Sequence, residues 1–111
     1  MAALKNLIRR TKLWMQQVQS THHRDIHVER FADEPCFLRY IIETDHYLAE
    51  LVIEPEGFHP HHHVQLTALA LEGEETSSYA YCYCDSEEST EEDIFACLDE
   101  AISYLTRQPI L

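Results

Sequence analysis

The chain has 111 residues, 45% of them hydrophobic and 25% charged, which suits one globular domain spanning 1–111 with its own core. Its formal net charge of -12 repels phosphate backbones and anionic lipids, so nucleic acid and membrane are both set aside as partners. With only Gly57 and Gly73 present, a glycine-rich phosphate loop is excluded as well.

The first element is a helix. Leu4, Leu7, Ile8, Thr11, Met15 and Val18 fall on one stripe at helical spacing, flanked by Leu13 and Trp14. Lys5, Arg9, Arg10 and Lys12 occupy much of the remaining surface, and the helix ends near Ser20-Thr21. Its apolar face is expected to cover a sheet. The charges and glutamines of this segment are not those of a secretory leader, and no run of apolar residues is long enough to span a bilayer. The sequence therefore predicts a cytoplasmic protein with reduced thiols.

Short β-rich segments follow. Strands are predicted at about 25–31 and 36–44, with Asp33-Glu34-Pro35 between them. Thr44-Asp45 is turn chemistry, and 47–54 reads as the hairpin partner, with Tyr47, Ala49, Leu51 and Ile53 as its core face. Pro55-Glu56-Gly57 marks a turn before a strand at about 63–71, and Glu72-Gly73-Glu74 marks the next. The last strand, about 77–84, alternates Tyr79, Tyr81 and Tyr83 with Ala80, Cys82 and Cys84. Small residues allow a helix to approach closely, so the cysteine side is expected under a helix and the tyrosine side outward.

The final element is a helix carrying the stripe Ile94, Leu98, Ala101, Ile102 and Leu105, ended by Pro109. Either Ser89 or Thr90 can cap it, and Ser89-x-x-Glu92 matches a capping box. Acidic residues in the first turn suit the helix dipole. The order of elements predicts an α+β two-layer sandwich: an N-terminal helix, a four- or five-stranded antiparallel sheet, and a C-terminal helix. In outline this layout is similar to small immunity proteins and secretion chaperones, a likeness of architecture that assigns no function.

Three chemistries compete for the functional reading. Charge is unevenly distributed: residues 1–40 hold seven of the eight basic side chains, while sixteen of the twenty acidic ones lie beyond residue 40. An acidic body bearing outward tyrosines suits a non-enzymatic module that docks on a basic protein, as an immunity-type inhibitor or chaperone would. Tyr79, Tyr81, Tyr83, Glu87 and Glu88 are the expected contacts, and a homodimer is a further admissible assembly. No cofactor is expected on this reading.

The alternative is a zinc or nickel site in Phe58-His59-Pro60-His61-His62-His63, where His59, His61, His62 and His63 are the candidate ligands. The simpler reading of that tract is a polar loop facing water. Cys82-x-Cys84 would place two sulfurs on one face of a strand, roughly 6–7 Å apart by the rise per residue. That is awkward for one tetrahedral ion. The third class is an enzyme, for which no nucleophile–base or carboxylate-pair signature stands out.

Overall fold

A computed structural model describes residues 3–55, 62–71 and 80–107. The elements run α1 (Leu4–Thr21), β1 (His27–Glu34), β2 (Phe37–Glu43), β3 (Tyr47–Ile53), β4 (Val64–Ala70), β5 (Tyr81–Cys84) and α2 (Glu91–Thr106). The five strands form an antiparallel meander in chain order, β1-β2-β3-β4-β5. The expected α+β arrangement of helix, sheet and helix is what the chain adopts.

Cross-strand register aligns one apolar row through the middle of the sheet. Leu38 faces Ile53 and Ile53 faces Val64; Tyr40, Leu51, Leu66 and Tyr83 form the next row; Ile42, Ala49, Ala68 and Tyr81 the one after. Leu7, Met15, Leu98 and Leu105 from the two helices pack on this side, so one continuous core joins both helices to a single sheet face. The expected core parity of β3 is the observed one, with Ala49, Leu51 and Ile53 buried.

Helix α1 buries Leu7, Ile8, Thr11, Trp14, Met15 and Val18, close to the predicted stripe. Trp14 belongs to the buried face, and its indole Nε1 donates to Asp99 Oδ1 of α2 at 2.7 Å. Thr11 is fully buried and its hydroxyl finds no partner among the described residues. Helix α2 is capped by Thr90. Asp93 N–H donates to Thr90 Oγ1 and Thr90 N–H donates to Asp93 Oδ2, both at 3.1 Å. The box thus forms one residue later than Ser89-x-x-Glu92. Ser89 is engaged elsewhere, because its Oγ accepts from Ser86 N–H at 3.0 Å and closes the turn after β5.

The basic residues of α1 are partly consumed by folding. Arg10 lies 3.3 Å from Glu91 and 3.7 Å from Glu92, and its guanidinium sits 4.5 Å from the centre of the Phe95 ring. Lys12 pairs with Asp33 of β1 and, as the leading cause, holds that carboxyl below its ordinary range. These exposed pairs orient elements more than they stabilise them. They also turn two of the four α1 cations, Arg10 and Lys12, toward carboxylates of the same chain.

Candidate functional site

Among the described residues, one face of the sheet lies beneath the helices and the other carries no helix. Residues of the second face follow from the register: His27, Glu29, Phe31, Ala32 and Glu34 on β1, then Phe37, Arg39, Ile41 and Glu43 on β2. Leu48, Glu50 and Val52 continue it on β3, Gln65, Thr67 and Leu69 on β4, and Cys82 and Cys84 on β5. Alternation explains the assignment: each of these residues is one step out of phase with the buried row.

This open face carries apolar and acidic side chains interspersed. Phe31 is 57% exposed and Leu48 39%. Phe31 stands out because the β1–β2 register shifts between Arg30 and Ala32, so Phe31 is the extra residue of a bulge. Arg39 stacks on it, with 5.6 Å between guanidinium carbon and ring centre, while its Nε donates to Glu50 across the strands. Neighbouring β-branched, aromatic and charged side chains so placed are a sheet's usual cross-strand contacts. Glu29, Glu34, Glu43 and Glu50 against Arg39 leave the face net negative.

The tyrosines lie on the opposite side from the one expected. Tyr81 and Tyr83 are half-buried against the core, beneath α2, and it is Cys82 that is exposed. The register with β4 decides this, since Tyr83 faces Leu66 and Tyr81 faces Ala68 in the buried rows. The small residues that admit bulk on this side are Ala49 and Ala68 of the neighbouring strands. Tyr104 of α2 fills the space above, its ring 5.3 Å from that of Tyr47 and 5.0 Å from that of Tyr81. Burial raises the Tyr81 and Tyr83 phenols above their ordinary range; the Tyr104 hydroxyl, by hydrogen bonding, is the leading cause for Tyr47. Tyr79 lies outside the described residues.

Glu87 and Glu88 are exposed in the turn between β5 and α2. The hinge of that turn is Asp85, only 4% exposed. Its Oδ1 accepts three consecutive backbone N–H groups, from His62 at 2.9 Å, His63 at 2.8 Å and Val64 at 2.8 Å. Asp85 N–H returns a bond to Val64 carbonyl oxygen at 3.0 Å. One carboxylate thereby ties the start of β4 to the end of β5, satisfying donors that burial would otherwise orphan. Nothing in the sequence distinguished Asp85 from the other acidic residues of its segment, because its role depends on three donors twenty-odd positions upstream.

Of the four candidate histidine ligands, His59 and His61 lie outside the described residues. His62 and His63 sit side by side, ring centres 4.1 Å apart. His63 Nδ1 is 2.9 Å from the Glu54 carbonyl oxygen, to which it donates, so in the neutral ring Nε2 is the nitrogen with a lone pair. Among the described residues no group of three or more His, Cys, Asp or Glu side chains is arranged to hold a metal ion.

Between α1 and α2 lies a cleft of about 300 Å³ lined by Trp14, Gln17, Val18, His22, Asp99 and Ser103. Hydrogen bonding there pairs Asp99 with the Trp14 indole, and His22 turns toward Asp25, at 3.9 Å. No helix among the described residues is long and apolar enough to cross a membrane. Compared with protein-family models, with curated proteins and with solved structures, the chain matches none.

Proposed function

We infer that the protein is a non-enzymatic binding module whose helix-free sheet face receives a basic protein. The observation that carries this reading is the coincidence, on the sheet face that no helix among the described residues covers, of exposed Phe31 and Leu48 with the carboxylates of Glu29, Glu34, Glu43 and Glu50. Apolar anchors interspersed with charged side chains suit a docking patch: the anchors supply affinity and the charges supply rate and choice of partner. Glu87 and Glu88, exposed beyond β5, extend the negative field toward the partner. On this reading the module acts as an inhibitor that neutralises a cationic toxin or as a chaperone that shields a cationic client. The half-buried Tyr81 and Tyr83 serve this function from behind, as the support of β5 under α2.

The test compares immobilised wild-type protein with Glu43→Lys/Leu48→Lys, which alters two cross-strand neighbours on the open face. The expected partner is a basic protein held by the wild type, released by moderate salt, and bound at least about tenfold more weakly by the variant. Equal capture by the two proteins, or a partner that is itself acidic, overturns the reading.

A second reading is favoured by His63 alone. Its Nδ1–H is held by the Glu54 carbonyl, the arrangement by which proteins orient an imidazole whose Nε2 ligates a metal. Transition-metal binding by His59, His61, His62 and His63 is tested by dialysis against zinc or nickel followed by elemental analysis. One tightly held equivalent, lost in His63→Ala, supports it; loss of all metal on dialysis into metal-free buffer rejects it.

A further inference from the structure

The cleft of about 300 Å³ between α1 and α2 is built at helical spacing from both sides. Trp14, Gln17 and Val18 come from adjacent turns of α1, and Asp99, Ile102 and Ser103 from adjacent turns of α2. Trp14, Val18 and Ile102 are buried and supply the apolar lining, while Gln17, Asp99 and Ser103 are exposed. Asp99 brings the carboxylate. Its Oδ1 accepts from Trp14 Nε1 at 2.7 Å, which fixes its orientation, and no cation pairs with it among the described residues. Nor do Asp99 Oδ2, Gln17 or Ser103 make a side-chain hydrogen bond to any described residue. His22 lines the same cleft, but its Nδ1 is directed to Asp25, at 3.9 Å.

A carboxylate with one oxygen held and one open, set among neutral polar groups and apolar walls, defines the chemistry of a ligand. Anions are repelled. A guanidinium is matched best by both oxygens of a carboxylate, and here one is already engaged by the indole. An ammonium is a compact charge with three donors, for which Asp99 Oδ2, the Gln17 amide oxygen and the Ser103 hydroxyl supply acceptors. The last turn of α1 ends at this cleft and carries no basic side chain, so the negative end of the helix dipole also favours a cation there. A short alkyl chain on the ammonium gains by covering Trp14, Val18 and Ile102. We propose that the cleft is a binding site for a small alkylammonium ion held by Asp99. The site lies on the helical side of the sheet, opposite the proposed docking face, so neither depends on the other.

The experiment titrates the full-length protein with n-butylammonium chloride at constant ionic strength. Trp14 is the sole tryptophan of the chain, so its emission and its indole N–H resonance report on the cleft. Both are expected to change saturably with the amine and not with n-butanol or sodium butyrate, which keep the alkyl chain and lose or reverse the charge. Asp99→Asn retains an oxygen for the indole and should bind at least about tenfold more weakly. Gln17→Lys, at an exposed position of α1, sets an ammonium of the chain's own beside Asp99 and should abolish the response. Glu43→Lys/Leu48→Lys on the opposite face should leave it unchanged, which separates this site from the docking surface. Nα-acetyl-lysine N-methylamide presents the same ammonium on a peptide; tighter binding than n-butylammonium assigns the site to a lysine side chain, weaker binding to a free amine, and either supports an ammonium site. An equal response to n-butanol, an undiminished response in Asp99→Asn, or no response to either ammonium probe overturns the proposal.

Discussion

Asp85→Ala is expected to destabilise the fold by about 3 kcal/mol or more, measured by urea unfolding, and Asp85→Asn by clearly less. Three backbone N–H groups converge on one carboxylate oxygen in a position that water scarcely reaches. Hydrogen bonds to a charged acceptor contribute about 1.5–3 kcal/mol each, and a buried donor left without a partner costs a comparable amount. The three are not additive, since the freed segment at 62–64 can rearrange toward solvent once the oxygen is gone. Asparagine keeps an oxygen at the same place and loses only the charge. Amide exchange offers a second readout: in Asp85→Ala, protection should fall first at His63 and Val64, with the centre of β3 protected longest. Equal stability of the alanine variant and the wild type would mean that the clamp contributes nothing.

The second large effect separates the two faces of one strand. Leu51→Ala should cost about 2–5 kcal/mol, because Leu51 is fully buried between Tyr40 and Leu66 and truncation leaves a cavity at the centre of the core. Leu48→Ala, three residues earlier on the same strand, should cost less than about 1 kcal/mol, because its side chain is on the open face. The denaturant slope should stay constant in both, so that midpoint shifts report stability directly. On the proposed function the consequences reverse for binding: Leu48→Ala should weaken capture of a basic partner at a site Leu51→Ala does not touch. A Leu48 variant as unstable as the Leu51 variant would place both residues in one core and contradict the two-faced sheet.

Much of this architecture was legible before any coordinates. The stripe Leu7, Ile8, Thr11, Met15 and Val18 repeats every three or four residues, and only a helix brings such positions together. Likewise Ala49, Leu51 and Ile53 recur every second residue and are buried in β3. The final helix was visible from both its stripe and its capping residues, and only the choice of Thr90 over Ser89 awaited the turn that engages Ser89. These features are local: the backbone period and the nearest neighbours are enough to state them.

The strand of alternating tyrosines and cysteines shows where local reading fails. Period two separates Tyr81 and Tyr83 from Cys82 and Cys84 but does not say which set faces the helices. Both sets are apolar enough to be buried, so the decision passes to β4, whose Leu66 and Ala68 align with the tyrosines. Room for the rings comes from Ala49 and Ala68, and the cover comes from Tyr104, which lies more than twenty residues downstream. The open face itself has the same origin, since Phe31 protrudes only because β1 bulges against β2.

By itself the sequence determined the elements, their order and the acidic surplus, because periodicity, turn chemistry and charge are written residue by residue. The tertiary structure alone decided which side of β5 meets the helices, that Asp85 gathers three distant donors, and that Arg10 and Lys12 of helix α1 are turned to internal pairs. Those are contacts across the sheet and between layers. They depend on register and packing, which no stretch of neighbouring residues specifies.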